Sequence, residues 1–452
     1  MFAALGGAFL SAFGFLGAAG VRALQQPNME PGLFKIFDIA ACAEAGNCFY
    51  QNSLSPYGRS LFTPTPEVMG ADALAGAFIL SPNQAVVWIG QTPPSEYWSF
   101  IPYLWRRRIV DVGTSGTGSY GNVIFASLTQ GINNFEYPNA KQLAVVITRN
   151  QNVFDRERRR IQTKFPNLLV VPLWIPLQAP LDSQVIYFMR VAFFPPGTLE
   201  TYLANPQALT YKVTYTDIGY SPVLAIPANS TFQNTARSFG IEPPAGTLEL
   251  FLKPLPTEPS EFCYQNLFTV YINQIISKYR ILREIEIVDF AGAIDLGSAY
   301  SSGLQCVLNN VLCQGDNPTA SYSASVSFEL AANESILVVA MNHRLTQRCF
   351  YTSLNLYQEA NALGILSTFP EDTELFYNQI WSPGTGDYRV VERAYVQLPE
   401  NVAPDNSTML NLKVFIIPKT TPTPDHEFVF SPLNVNIPGL QILADYKKTH
   451  CS

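Results

Sequence analysis

Chemistry in this 452-residue chain has few places to reside, because it carries only three histidines, His343, His426 and His450. His343 has polar company, flanked by Asn342 and Arg344 just after the apolar run 336–341. That run reads as a strand, and catalytic groups often emerge where a strand ends. His343 would serve there as a general base, with Asn342 or Arg344 holding an oxyanion. The plainer reading is a hydrogen-bonded turn. It is preferred because no Gly-x-Ser-x-Gly nucleophile motif accompanies the trio. A hydrolase or lyase acting on a small or carbohydrate substrate near His343 stands as the alternative.

Other motifs lack the context their chemistry requires. The glycines Gly116, Gly118 and Gly121 have dinucleotide-fingerprint spacing, but residues 122–125 read as a strand. The fingerprint needs a helix amino terminus there to bind a pyrophosphate. No Cys-x-x-Cys or His-x-x-x-His spacing of a metal site occurs. No cofactor and no metal are expected. A net charge of -7 argues against a nucleic-acid partner, which wants a concentrated basic face. The basic stretch 155–160 falls on the solvated side of an expected helix.

The elements that would position these residues are mostly strands. Charged residues make up 14% of the chain against about 25% in ordinary soluble domains, while 22 Tyr, 30 Phe and 34 Pro favour pleated surfaces and ordered loops. Strands are expected near 78–90, 122–128, 142–148, 168–174, 185–194, 246–252, 335–341, 388–397 and 410–417. A helix over 152–165, with Asn152 as its cap, would join two of them into a parallel strand-helix-strand unit. A second helix follows Ser260, with Tyr264, Phe268, Tyr271, Ile275 and Leu282 sharing a face. Glu392 and Arg393 are neighbours on an expected strand, so one of them points inward and needs a partner. The fold class is α+β, β-rich, with two packed mixed α/β halves.

The halves would be residues 24–252 and 261–452, joined by the Pro-rich stretch 253–260. An internal echo supports the division. An apolar strand at 85–88 precedes Tyr97, Ser99 and Tyr103, and another at 336–339 precedes Tyr351, Ser353 and Tyr357 with the same spacing. Each reads as a β-hairpin whose two tyrosines face one way, related by duplication.

Residues 1–21 carry no charged side chain, so 1–23 reads as a secretory signal peptide or an apolar segment. Membrane contact would arise only through residues 1–21 if they are not cleaved. Disulfides Cys42 to Cys48, Cys306 to Cys313 and Cys263 to Cys349 would suit an oxidising compartment. These readings converge on a non-catalytic exported or lumenal structural or binding protein. Its Tyr-, Asn- and Pro-rich surface would contact copies of itself or glycans.

Overall fold

Several strands of this protein are buried along their whole length, which requires that both faces of their sheets be covered. Tyr97–Arg106 is buried at all but its last residue and Gln184–Ala192 at every one. The computed structural model describes residues 27–36, 56–108, 120–223, 261–289, 312–313, 320–396 and 404–419, apart from positions 130, 178, 193, 196, 369, 371–373 and 405–407. Residues 1–26, the stretch 224–260 that includes the expected Pro-rich boundary and the 246–252 strand, and Gly116 and Gly118 lie outside it.

The first half contributes β1 (Asn28–Ile36), β2 (Tyr57–Leu61), β3 (Phe78–Ile79), β4 (Gln84–Gln91), β5 (Tyr97–Arg106), β6 (Ala126–Ser127), β7 (Ile132–Asn133), β8 (Gln142–Thr148), β9 (Leu169–Trp174), β10 (Gln184–Ala192) and β11 (Ala208–Thr214). They form one curled sheet in the order β6-β5-β10-β2-β1-β11-β4-β8-β9. The curl occurs at β1, which pairs with β11 along its start and with β2 along its end. The two arms fold over each other and enclose one core, including Val86, Trp88 and Val145 from one arm and Phe100, Tyr187 and Met189 from the other.

The second half contributes β12 (Arg283–Ile285), β13 (Ile287–Asp289), β14 (Ala320–Ser325), β15 (Phe328–Leu330), β16 (Glu334–Met341), β17 (Tyr351–Gln358), β18 (Leu363–Thr368), β19 (Phe376–Trp381), β20 (Gly386–Tyr395) and β21 (Lys413–Pro418). Their orders are β12-β21-β16-β19 and β13-β14-β20-β17-β18. Read in parallel, the halves coincide. The sets β1-β11-β4-β8 and β12-β21-β16-β19 correspond strand for strand, as do β2-β10-β5-β6 and β14-β20-β17-β18. Each half thus contains eight strands arranged as two facing sets of four, the connectivity of a jelly roll.

The expected hairpins are not formed. The strand β4 pairs with β8 and β11, and β16 with β19 and β21, so the strands that follow, β5 and β17, lie in the opposite sheets. What recurs is a crossing from one sheet to the other, which places Tyr97, Ser99 and Tyr103, like Tyr351, Ser353 and Tyr357, on an outer face. The run 122–128 narrows to the two residues of β6.

Helices cover the sheets on the far sides. Between the parallel strands β8 and β9 lies α1 (Gln151–Lys164), as the strand-helix-strand pattern requires. Its cap is Asn150 rather than Asn152; the Asn150 side chain accepts from the Asn152 backbone N–H at 3.0 Å. Val153, Phe154 and Ile161 bury against Val87, Val146 and Tyr211. Among the arginines expected in solvent, Arg160 turns inward to Glu157, which also accepts from the hydroxyls of Tyr211 at 2.7 Å and Tyr215 at 2.6 Å. In the second half α2 (Gln265–Ile276) buries Phe268, Tyr271 and Ile275 against the outer face of β16 and β21. Leu282 lies past its end and is exposed. No helix among the described residues is long and apolar enough to cross a membrane.

Since Glu157 is wholly buried and engaged by three partners, its removal strands a cation and two hydroxyls. Glu157→Ala should cost about 3–5 kcal/mol in urea unfolding, and Tyr215→Phe about 1–3 kcal/mol through loss of one hydrogen bond to a charged group.

Candidate functional site

After β16 the chain makes a tight turn that sends Asn342, His343 and Arg344 to three different places. Asn342 is buried and braces the turn, its Oδ1 accepting from the Arg344 N–H at 3.2 Å and its own N–H donating to the Leu375 carbonyl at 2.8 Å. Arg344 reaches Glu96 of the first half at 3.8 Å and lies over the Phe350 ring. His343 points inward and is 0% exposed. The trio does not converge on a point where a substrate carbonyl would sit.

Two carboxylates clamp the imidazole. Nδ1 lies 3.0 and 2.9 Å from the two carboxylate oxygens of Glu261, in the 3-10 turn Glu261–Tyr264 that leads into α2. Nε2 lies 3.3 Å from Glu392 Oε1 on β20. Glu261 also accepts from the Thr346 hydroxyl and from the Leu410 N–H, the latter at 2.9 Å. Burial alone would strip the proton from His343, but the negative charge of Glu261 and Glu392 and the hydrogen bond to Glu261 outweigh it and push the imidazole up to about 10. Burial likewise works against the Glu261 charge, yet the imidazolium and the donors around it hold its carboxyl below the usual range. At neutral pH His343 is therefore an imidazolium held against the Glu261 carboxylate, with the Glu392 side chain 3.3 Å from its other nitrogen. A protonated, sealed histidine has no lone pair to offer as a base.

The hairpin residues of the sequence meet elsewhere, between the two sandwiches. In the first, Arg190 on β10 stands opposite Ser99 on β5 and Tyr57 on β2. In the second, Arg393 on β20 stands opposite Ser353 on β17 and Tyr322 on β14. Each guanidinium lies against two rings, Arg190 at 5.5 Å from both Tyr57 and Tyr103, Arg393 at 5.5 Å from Tyr322 and 5.4 Å from Tyr357. The two rungs share composition and register. Tyr97 packs on Tyr395 at 5.7 Å between ring centroids and Phe135 edge-on against Phe350 at 4.7 Å, so the two outer faces close on each other. Glu392 and Arg393 are both buried, because β20 has the second sandwich's core on one face and the first sandwich on the other.

The cysteines depart from expectation in one respect. Cys349 is a free thiol buried in the turn after His343, pushed well up by burial and by Glu261 and Glu392, so the Cys263 to Cys349 bridge is not formed. Cys42, Cys48, Cys306 and Cys451 lie outside the described residues, and with them, in whole or in part, the other two expected bridges. Among the described residues no group of His, Cys, Asp and Glu is placed to hold a metal ion.

Sequence reasoning missed Glu261, Tyr57, Arg190 and Tyr322. Their partners are strands distant in the chain, and nothing local marks them.

No protein-family model matches the chain, and no curated protein matches it. Among solved structures, an uncharacterised protein from Burkholderia cenocepacia is similar over 86% of this chain and 82% of its own, at 10% identity and a TM-score of 0.37. An anti-sigma factor domain-containing protein matches at 7% identity over 81% of this chain and 82% of its own, with a TM-score of 0.14. The N-terminal CBM22-1-CBM22-2 tandem domain of Paenibacillus barcinonensis Xyn10C matches at 9% identity over 90% of this chain and 100% of its own, with a TM-score of 0.12. Likenesses this distant assign no activity.

Loss of Glu261 would leave the imidazolium with one carboxylate and abandon the Leu410 N–H. Glu261→Ala should therefore cost about 3–5 kcal/mol in chemical denaturation, and Glu261→Gln, which keeps an acceptor, clearly less.

Proposed function

We propose that this chain is a non-catalytic structural protein, exported or lumenal, that assembles with copies of itself. The observation that carries the reading is the apolar surface left after the two sandwiches have packed. Leu33 is 54% exposed and Leu209 42%, each one step beyond the paired residues Gly32 and Thr210 on the adjacent strands β1 and β11. Met69 at the start of the short helix Gly70–Ala75 and Leu74 within it are exposed, as are Leu177 and Leu181 in the chain after β9. Apolar groups of this size on a weakly charged protein favour lateral association, since little repulsion opposes it.

The architecture supports the same reading at the level of analogy. Jelly rolls serve as capsid and lectin domains, and a tandem of them suits a shell-like or sheet-like assembly. The enzyme alternative is the weaker one, because His343, its intended base, is sealed and protonated.

Size-exclusion chromatography with light scattering on the purified chain tests this. Assembly predicts a mass that is a multiple of the 50.1 kDa chain, reduced by the double substitution Leu33→Lys with Leu209→Lys. A strictly monomeric protein at all concentrations would contradict the proposal.

A further inference from the structure

We propose that the turn spanning residues 342–350 is an alkaline-sensitive latch, closed by the Glu261–His343–Glu392 clamp, that secures both the helical segment 261–276 and the contact with the first sandwich.

The geometry places three attachments on this one turn. Glu261 ties the turn to the segment that carries α2, through His343 Nδ1 and the Thr346 hydroxyl, and ties both to the backbone of Leu410. Glu392 ties His343 to β20. At the far side of the turn, Arg344 faces Glu96 and Phe350 packs edge-on against Phe135, both in the first sandwich. Releasing His343 would therefore loosen the α2 anchor and the contact between sandwiches together.

The charged and titratable groups facing this cluster come from every element around it. Glu261 stands on the 3-10 turn, Glu392 on β20, Tyr377 on β19 and Tyr351 on β17, with Arg344, Arg348 and Cys349 in the turn itself. The imidazolium is the cation between the Glu261 and Glu392 side chains; without its proton the buried Glu261 carboxylate loses its counter-ion in a dry interior. Its folded-state pKa of about 10 lies above the unfolded value near 6.5, so the stabilisation is full below the unfolded value and is lost as pH rises through the folded one. Glu261 has the opposite sign: its contribution is present above the unfolded carboxylate value and is lost only as pH falls below it.

Cys349 supplies the reporter, a free thiol buried in the turn. The intact chain is pulsed with an uncharged thiol reagent from about pH 6 to about pH 10, each value normalised to the same thiol in the denatured chain at that pH. Cys349→Ser identifies the signal. The latch predicts normalised labelling that rises by up to about tenfold per pH unit above about pH 7, ahead of any loss of far-ultraviolet circular dichroism. It also predicts that Glu392→Gln moves the rise to lower pH and that His343→Gln, where it folds, abolishes the pH dependence. Labelling that stays flat across the range would overturn the proposal, as would a rise that coincides with global unfolding. So would a Glu392→Gln protein with the wild-type midpoint.

Discussion

The structure depends on the mutual covering of two sheet faces that no solvent reaches. A strand such as Tyr97–Arg106, apolar or aromatic at nearly every position, has no solvated side to offer. Its inner face closes the first sandwich and its outer face must find a second apolar surface. The second sandwich supplies one in the form of β17 and β20, which have the same requirement. Neither sandwich can leave the other without exposing tyrosines, an arginine and a serine that are now dry. By area bookkeeping each buried aromatic ring contributes roughly 2–3 kcal/mol, so even a few such rings form a substantial interface.

That constraint explains why polar groups are buried where they are. Arg190 and Arg393 lie over tyrosine rings, whose faces attract the weakly hydrated guanidinium cation and offset part of the cost of burying it. Inside each half, a fully buried glutamate fastens a covering helix: Glu157 holds α1 to β11, and Glu261 holds the start of α2 to the turn after β16. Both glutamates have several donors, as buried carboxylates require. The two halves therefore share strand order, the Tyr-Arg-Ser rung and the manner in which helix and sheet are joined.

Much of the secondary structure was legible in the sequence because it is encoded locally. The apolar runs of β8 and β16, the strand-helix-strand unit around α1 and the spacing of Tyr264, Phe268, Tyr271 and Ile275 all report periods of a few residues. The two copies of the Tyr-x-Ser-x-x-x-Tyr echo fall on β5 and β17, at equivalent places in the two strand orders, yet their partners were misassigned. Adjacent strands of a jelly roll cross between sheets, and sequence proximity suggests a hairpin instead. The candidate site was legible only as His343 and as a strand glutamate in need of a partner. Its closing member, Glu261, lies 82 residues earlier, and the Tyr57 to Arg190 and Tyr322 to Arg393 registers are likewise non-local. Only folding brings such pairs together.

Native-state amide hydrogen exchange tests the mutual covering most directly. If the two sandwiches protect each other, β5 and β10 and their counterparts β17 and β20 exchange only through global unfolding, with matching free energies and slower than any other strands. Exchange of either pair at a lower free energy than β4 and β16, the central strands of the far sheets, would mean that the sandwiches part before they unfold. That result would contradict the account.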